Sequence, residues 1–600
     1  MGVDLQVSWL IFLYLLLASI FISNFFGIPV LGNWEMFTFY HNFAALEAPL
    51  SYRIGERANI GGQGYPSLDI SRFISDIFGW SINTFRSPAI VAGWFSLCLF
   101  FIISKRICGL LPALIAAMFL GVNETFSFHQ NQLCVSTITF VLCLSVVERI
   151  QVIDANSRNR IAIILLGIII AFSGLHYSLG RFFTLFIMFY FIFKFIYLQN
   201  KSLGKTKAII EFKKMFVLLF ISILATFFIL SPENLIDLIF IRTFFFPVSS
   251  EVQDLSSELI PALLTNLKVY FSTLFYFDSY IQAKNSSELL ASAHFTLISP
   301  VFLPFVFIGI IKSIKDWRLV NYGTNAPYAL IHVLFIITAV PPLFSAISEG
   351  ETTLSNYRML NILIPAYFYG AMGIKELLDR HKKYAMAVFI PLYLFQIYLL
   401  TYDRVLFADA IKINNIDQPL FNDTKYIKSG KKKKYFMEKG FIRDQVKYRR
   451  YAEKIIANNS ENNIVLYTVD LNEIAEGSAA ANGLQYYQNS NFYSAFISLY
   501  ISDLGMNIAY AQALDVKSKY KIAGSGYRGK LRSFPAKLDF SDASIDYVWP
   551  NELSFKLRKT GPGHIEAYLA TTSEEKKWLI DYLGSKQINP ELVTIALSIK

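Results

Sequence analysis

The chain has 600 residues, of which 54% are hydrophobic and 16% charged, and its mean hydropathy is +0.42. A typical soluble domain has about 25% charged residues, so this composition excludes a single water-soluble globule. The net charge of +11 does not predict a nucleic-acid partner, because Lys and Arg fall mostly between apolar runs, where they indicate membrane topology.

Apolar runs occupy most of the first 405 residues. About 20 helical residues span ~30 Å of hydrocarbon, and fewer suffice where neighbouring helices cover the span. The first run lacks a basic flank and is long for a signal-peptide core, so we expect it to be retained. We predict about eleven transmembrane helices, at 7–28, 87–104, 109–121, 132–147, 160–174, 182–199, 213–231, 297–313, 327–345, 357–374 and 384–402.

Basic residues occur in every second connection, which predicts that those connections are cytoplasmic. They lie at 105–106, 149–160, 201–214, 312–318 and 375–383. The alternate connections, predicted on the outer face, are two large loops at 29–86 and 232–296 and two short polar ones at 123–132 and 348–358. Eleven spans with a cytoplasmic N-terminus place the C-terminal region outside.

A soluble extracytoplasmic α/β domain is predicted for 406–600, after a catalytic bundle at 1–405. The segments 462–470 and 564–571 read as strands, and 444–459 reads as an amphipathic helix. About 190 residues are enough for one such domain.

Two carboxylates lie where predicted outer connections meet the membrane. Glu35 follows the first span, and Glu124 lies in the second outer connection. Partial desolvation raises the pKa of a carboxyl group and makes it a better base. Two such acids could divide the roles of base and of metal ligand or acceptor clamp. The alternative for each is a solvated helix-end or loop residue.

Further polar candidates lie at the same predicted face. Arginine forms a fork that suits phosphate oxygens, so the two arginines are candidates for an anionic donor. Their alternative is snorkelling at the membrane interface. The candidates are Asp69, His176, Tyr177, Arg181, Tyr357 and Arg358.

Four stretches together resemble the GT-C membrane glycosyltransferases. They are NWEMFTFY from 33, RSPAIVAGWFSLCLFFIISKRICGLLPALIAAMFLGVNETF from 86, GLHYSLGRFF from 174, and YRMLNILIPAYFYG from 357. The similarity is to the bacterial family-39-like group, which includes protein mannosyltransferases and the lipid A aminoarabinose transferase. It covers about residues 1–405 and rests on hydropathy order and sparse motifs.

This resemblance implies an inverting enzyme of a bacterial cytoplasmic membrane, with membrane lipids around it. It would move a sugar from a polyprenyl phosphate to a hydroxyl of an unidentified protein, lipid or glycan acceptor on the outer face. By the same resemblance Glu35 is the base, Glu124 a second acid and Arg358 a donor-phosphate ligand. Arg181, at the same predicted face, is the second candidate ligand for that phosphate.

The sequence also departs from the family. A single Glu35 replaces the common Asp or Asp-Glu pair, and GYPSLD from 64 replaces HPPL, so a divalent cation stays an open question. Two other functional classes also remain open at this point. One is a transporter or flippase of a lipid-linked saccharide, and the other is a non-catalytic membrane assembly protein.

Overall fold

A computed structural model describes most of the helical part of the chain and four strands beyond it. The described residues are 2–26, 81–130, 135–155, 159–176, 205–230, 297–319, 326–343, 347–348, 351–352, 359–411, 463–469, 508–513, 564–570 and 594–596, with short pieces at 70–71, 73–74, 77–78, 187, 190–191, 261, 264, 267 and 449.

Helices are confirmed at ten of the eleven predicted runs, and at 182–199 the three described residues are also helical. A seven-residue helix, α4, lies between two of them, and a 3₁₀ turn at Leu360–Ile362 leads into the last helix. The helices are α1 Gly2–Phe26, α2 Ile82–Cys108, α3 Leu110–Gly121, α4 Glu124–Gln130, α5 Val135–Ala155, α6 Arg160–His176, α7 Lys205–Leu230, α8 Leu303–Leu319, α9 Ala326–Leu343 and α10 Leu363–Ile411.

One helix in the described part of the chain, α2, is both long and apolar enough to cross a membrane by length and composition. Shorter apolar helical stretches occur at Leu10–Ile22, Leu110–Gly121, Arg160–Gly174, Phe216–Thr226, Leu330–Val340 and Ala387–Thr401. The count of eleven spans therefore stays a prediction.

The start of α2 is fixed by side-chain hydrogen bonds. Ser81 Oγ accepts from the backbone N–H of Thr84 at 3.1 Å, and Thr84 Oγ1 accepts from the N–H of Ser81 at 2.9 Å, which forms a capping box. Pro88 has no N–H for the carbonyl of Thr84. The Ser87 hydroxyl donates to that carbonyl instead, at 2.7 Å, so the helix tolerates the proline.

The core of the bundle is aromatic and closely packed. The ring of Phe302 stacks on that of Tyr367 with 4.2 Å between centroids, and Phe100 stacks on Phe368 at 4.9 Å. α8 lies against the first half of α10, where glycines allow the two backbones to approach. α2 packs on α3 and α5, α5 on α6, and α6 on α7.

The outward faces of several helices are apolar as well. In α1, Leu10, Leu13, Leu17 and Phe21 form one stripe and are 52–68% exposed, while Leu15 on the other side is buried. α7 and the second half of α10 also expose large apolar side chains. A helix that is apolar on both its packed and its outward face is typical of a membrane span.

Ion pairs lie at one end of the bundle. Arg106 contacts Glu148 at 3.0 Å between α2 and α5, and Lys312 contacts Glu376 at 3.2 Å between α8 and α10. Lys375 also acts electrostatically on the thiol of Cys108, which brings the two ion pairs to the same end. These basic residues belong to the connections predicted to be cytoplasmic.

The connection predicted at 375–383 is mostly helical, and two helices meet within it. The segment labelled α10 is these two helices joined at His381, where the backbone leaves the helical region (φ −141°, ψ 48°). A straight helix of this length would span about 73 Å, more than twice the hydrocarbon thickness. The break at His381 therefore divides α10 into two halves that correspond to the two predicted spans.

The strands predicted at 462–470 and 564–571 are confirmed as β3 (Asn463–Val469) and β5 (His564–Ala570). With β4 (Ile508–Ala513) and β6 (Thr594–Ala596) they form a parallel sheet in the order β4-β3-β5-β6. A short antiparallel pair, β1 (Ile347–Ser348) and β2 (Glu351–Thr352), lies in the connection after α9.

Candidate functional site

The candidate site lies at the end of the bundle opposite the ion pairs, where α3 ends and α4 begins. Four polar residues from distant parts of the chain meet there and are almost completely buried. We call them the Glu124 cluster: Asn123, Glu124, Ser299 and Gln396.

Asn123 fixes the start of α4. Its Oδ1 accepts from the backbone N–H of Phe126 at 2.8 Å, which is the hydrogen bond of an N-cap residue. Its Nδ2 donates to the carbonyl of Leu297 at 3.1 Å, so the same side chain ties α4 to the turn before α8. Glu124 thereby lies in the first turn of a helix, where the helix dipole favours a negative charge.

Glu124 is 1% exposed. Its Oε1 accepts from Nε2 of Gln396, on the second half of α10, at 3.4 Å. The same Nε2 donates to the carbonyl of Val122 at 3.3 Å, and Ser299 donates its hydroxyl to the amide oxygen. The alternative interpretation of Glu124 as a solvated loop residue is wrong, because 124–130 is helical and the carboxylate is enclosed by three segments.

His129 and Gln130 lie at the other end of α4 and are also buried. Burial lowers the pKa of His129 to about 3, so the imidazole is neutral at physiological pH. Gln130 packs on Gly93 of α2, where a Cβ would overlap the amide of the glutamine, so this contact requires glycine.

His176 is fully buried as the last residue of α6, and its ring is parallel to that of Phe172 at 6.3 Å. The short connection between α5 and α6 makes them antiparallel, so His176 lies level with the first turns of α5. The structure therefore places His176 at the Glu124 end of the bundle.

Six of the predicted site residues lie outside the described residues: Glu35, Asp69, Tyr177, Arg181, Tyr357 and Arg358. The end of α1 is described, and Ile22 packs against Val122 and Leu400. The chain therefore leaves α1 beside Glu124. Glu35 follows Phe26 by nine residues in the sequence, and its place at this end of the bundle stays a prediction.

Two buried polar residues were missed by the sequence analysis. Gln396 is a single amide in an apolar run, and the mean hydropathy of the run hides one polar residue. Arg86 lies early in α2 and is 2% exposed, two helical turns before Gly93 and its contact with Gln130. His332 on α9 is half-buried, and its Nδ1 hydrogen-bonds the Tyr369 hydroxyl at 2.6 Å.

Among the described residues no group of three or more His, Cys, Asp or Glu side chains forms a potential metal site. Glu35 and the segment 64–69, whose departures from the family left a divalent cation an open question, lie outside the described residues.

No protein-family model and no curated protein matches the chain. Among solved structures it is similar to the Archaeoglobus fulgidus oligosaccharyltransferase, both as a complex with zinc and sulfate and tethered to an acceptor peptide containing an NVT sequon. Identity is 13% and 12%, the TM-score is 0.42 for both, and 81% and 84% of this chain are covered. The match spans 61% and 65% of the length of the oligosaccharyltransferase chain.

The chain is also similar to ArnT from Cupriavidus metallidurans in the apo state, with 11% identity and a TM-score of 0.36. That match covers 86% of this chain and 87% of ArnT.

Proposed function

We propose that this protein is a multi-pass membrane glycosyltransferase. It takes a sugar from a polyprenyl-phosphate donor and transfers it to a hydroxyl acceptor on the outer face of a bacterial cytoplasmic membrane. In this proposal the 406–600 region lies outside and governs access of the acceptor.

The observation that carries the proposal is the position of Glu124. A buried carboxylate costs free energy unless it is hydrogen-bonded, and a packed bundle has little structural need for one. Here it lies at the end of the bundle where α1 terminates and Glu35 follows, opposite the basic end. The apolar outward faces of α1, α7 and α10 support a lipid environment in which a lipid-linked donor is available.

The proposed reaction requires one base and a cationic site for the leaving phosphate. Glu35 accepts the proton of the acceptor hydroxyl as that oxygen attacks the anomeric carbon. The bond from this carbon to the phosphate oxygen breaks on the opposite face, so the configuration inverts. Arg358 and Arg181 stabilise the negative charge of the polyprenyl phosphate that leaves, and fixed charges of this kind supply several kcal/mol. Glu124 is the second acid of the site.

The proposal is tested with purified protein and a panel of polyprenyl-phosphate sugars, with and without a chelator of divalent cations. Release of free polyprenyl phosphate is measured. Glu35→Gln should lose about 10²–10⁴-fold in turnover and still bind donor, because only proton transfer is removed. Arg358→Ala should weaken donor binding, because the phosphate loses a charged ligand.

A wild-type protein that releases no polyprenyl phosphate from any donor would contradict the proposal. Near-normal transfer by Glu35→Gln would remove that residue from the role of base. If release of polyprenyl phosphate requires a divalent cation, the reaction is metal-dependent.

A further inference from the structure

Gln396 is a fully buried amide on the second half of α10, which also exposes several large apolar side chains. Its neighbours Leu394, Phe395 and Tyr398 are 50–59% exposed, whereas Gln396 itself is 0% exposed. Burying an amide without hydrogen bonds costs several kcal/mol, so its presence here demands partners.

The hydrogen bonds of Gln396 fix the orientation of its amide. The oxygen accepts from the Ser299 hydroxyl, and the nitrogen donates to the Val122 carbonyl at 3.3 Å and to Glu124 Oε1 at 3.4 Å. A flipped amide would set its oxygen against a carbonyl and a carboxylate, which repel it. One orientation therefore satisfies all three partners.

These bonds join segments that are far apart in the sequence. Gln396 is separated from Ser299 by 97 positions and from Glu124 by 272. The amide thus sets where the Glu124 carboxylate lies relative to α10 and to the turn before α8. Gln396 is 0% exposed, so any effect it has on the reaction is transmitted through its hydrogen-bond partners.

We propose that Gln396 is a positioning residue for Glu124, with Ser299 holding the amide in the orientation that presents its N–H to the carboxylate. This inference rests on the proposed glycosyl transfer, in which Glu124 is the second acid of the site.

The test is a double-mutant cycle on the purified full chain. Gln396→Met keeps the length of the side chain and removes its polar atoms. A hydrogen bond to a charged group is worth about 10-fold to 100-fold, so kcat for polyprenyl-phosphate release should fall by that factor. The KM for the donor should stay within about twofold, because the donor phosphate is bound elsewhere. In a Glu124→Gln background the same substitution should cost nothing further.

Rescue separates positioning from packing. Gln396→His keeps an Nε2 donor and should recover most of the kcat lost in Gln396→Met. Thr401→Val is the matched control, because this hydroxyl, one turn further along α10, bonds only the Ile397 carbonyl of its own helix at 2.8 Å. Its kcat should equal that of the wild type. If Gln396→Met does not fold, Ser299→Ala gives the same cycle with a smaller loss, about threefold.

The outcomes distinguish the two proposals. A wild-type protein without transfer activity overturns both. An active wild type in which Gln396→Met is silent, or in which its loss adds fully to that of Glu124→Gln, overturns the positioning role and leaves the transferase intact.

Discussion

At the scale of single residues, α4 holds two ionisable groups in a setting that excludes water. Glu124 accepts a hydrogen bond from Nε2 of Gln396 on α10 and lies in the first turn of α4. His129, on the last turn of α4, is held neutral by burial. A helix of seven residues therefore carries a buried carboxyl group at one end and a neutral imidazole at the other.

The neutral state of His129 predicts acid sensitivity. Its pKa is about 3 in the folded protein and about 6.5 when unfolded, so the unfolded chain binds more protons between these values. Stability is therefore full above about pH 6.5 and is lost as the pH falls towards 3. Between about pH 7.5 and about pH 5 the free energy of unfolding should decrease by about 2 kcal/mol from this group.

The measurement is the thermal unfolding temperature of the protein in detergent at the two pH values. His129→Gln should abolish most of the difference between them. His381→Gln, at the exposed break in α10, is the control and should leave the difference unchanged. Equal acid sensitivity of His129→Gln and wild type would contradict the assignment.

At the scale of elements, the contact of α8 with α10 depends on small residues. A Cβ at Gly309 would overlap the backbone of Tyr369, and one at Gly373 would overlap the backbone of Phe305. Backbone atoms cannot rotate away as a side chain does, so the helices must separate to admit a methyl group. Close approach through small residues is a common form of helix packing in membranes.

Substituting these glycines by alanine should therefore destabilise the bundle. We expect Gly309→Ala and Gly373→Ala each to reduce the free energy of unfolding by about 1–3 kcal/mol, measured as a lower unfolding temperature. Gly121→Ala is the matched control, because its nearest neighbour is a side-chain carbon of Leu97 at 3.5 Å, an ordinary contact. Unchanged unfolding of Gly309→Ala would show that the helices do not pack this closely.

At the scale of the whole molecule, the hydropathy pattern predicts the positions of the helices but does not predict the residues at which they end. The run at 132–147 predicts only the apolar part of α5, which continues to Ala155 because its polar tail, with the ion-paired Glu148, still forms helix. The basic connection at 375–383 likewise stays helical up to His381, helped by the Glu376–Arg380 ion pair. Charged residues in these connections therefore do not terminate the helices.

The candidate site was predictable only in part, for a related reason. Glu124 and His176 were identified because they are polar residues next to apolar runs, a local signal. The pairing of Glu124 with Gln396 depends on how α3, α8 and α10 pack, which no local periodicity records. Of the parallel sheet, β3 and β5 were predicted and β4 and β6 were not, and the strand order β4-β3-β5-β6 depends on connections too long to interpret by pattern.

The two parts of the chain should be separable in function. The main core cluster of the bundle is formed by residues between Ile11 and Phe389, and α10 continues to Ile411, past the predicted domain boundary at 405. A chain that ends just after Ile411 should therefore keep its helices. It should transfer sugar to a small soluble acceptor at a rate within about threefold of the wild type, which corresponds to a change of about 0.7 kcal/mol in activation free energy. Circular dichroism and size-exclusion chromatography would establish that the shortened protein is folded. If it is folded and inactive towards every small acceptor, then a group needed for the reaction comes from 412–600, and the active site is shared between the two parts.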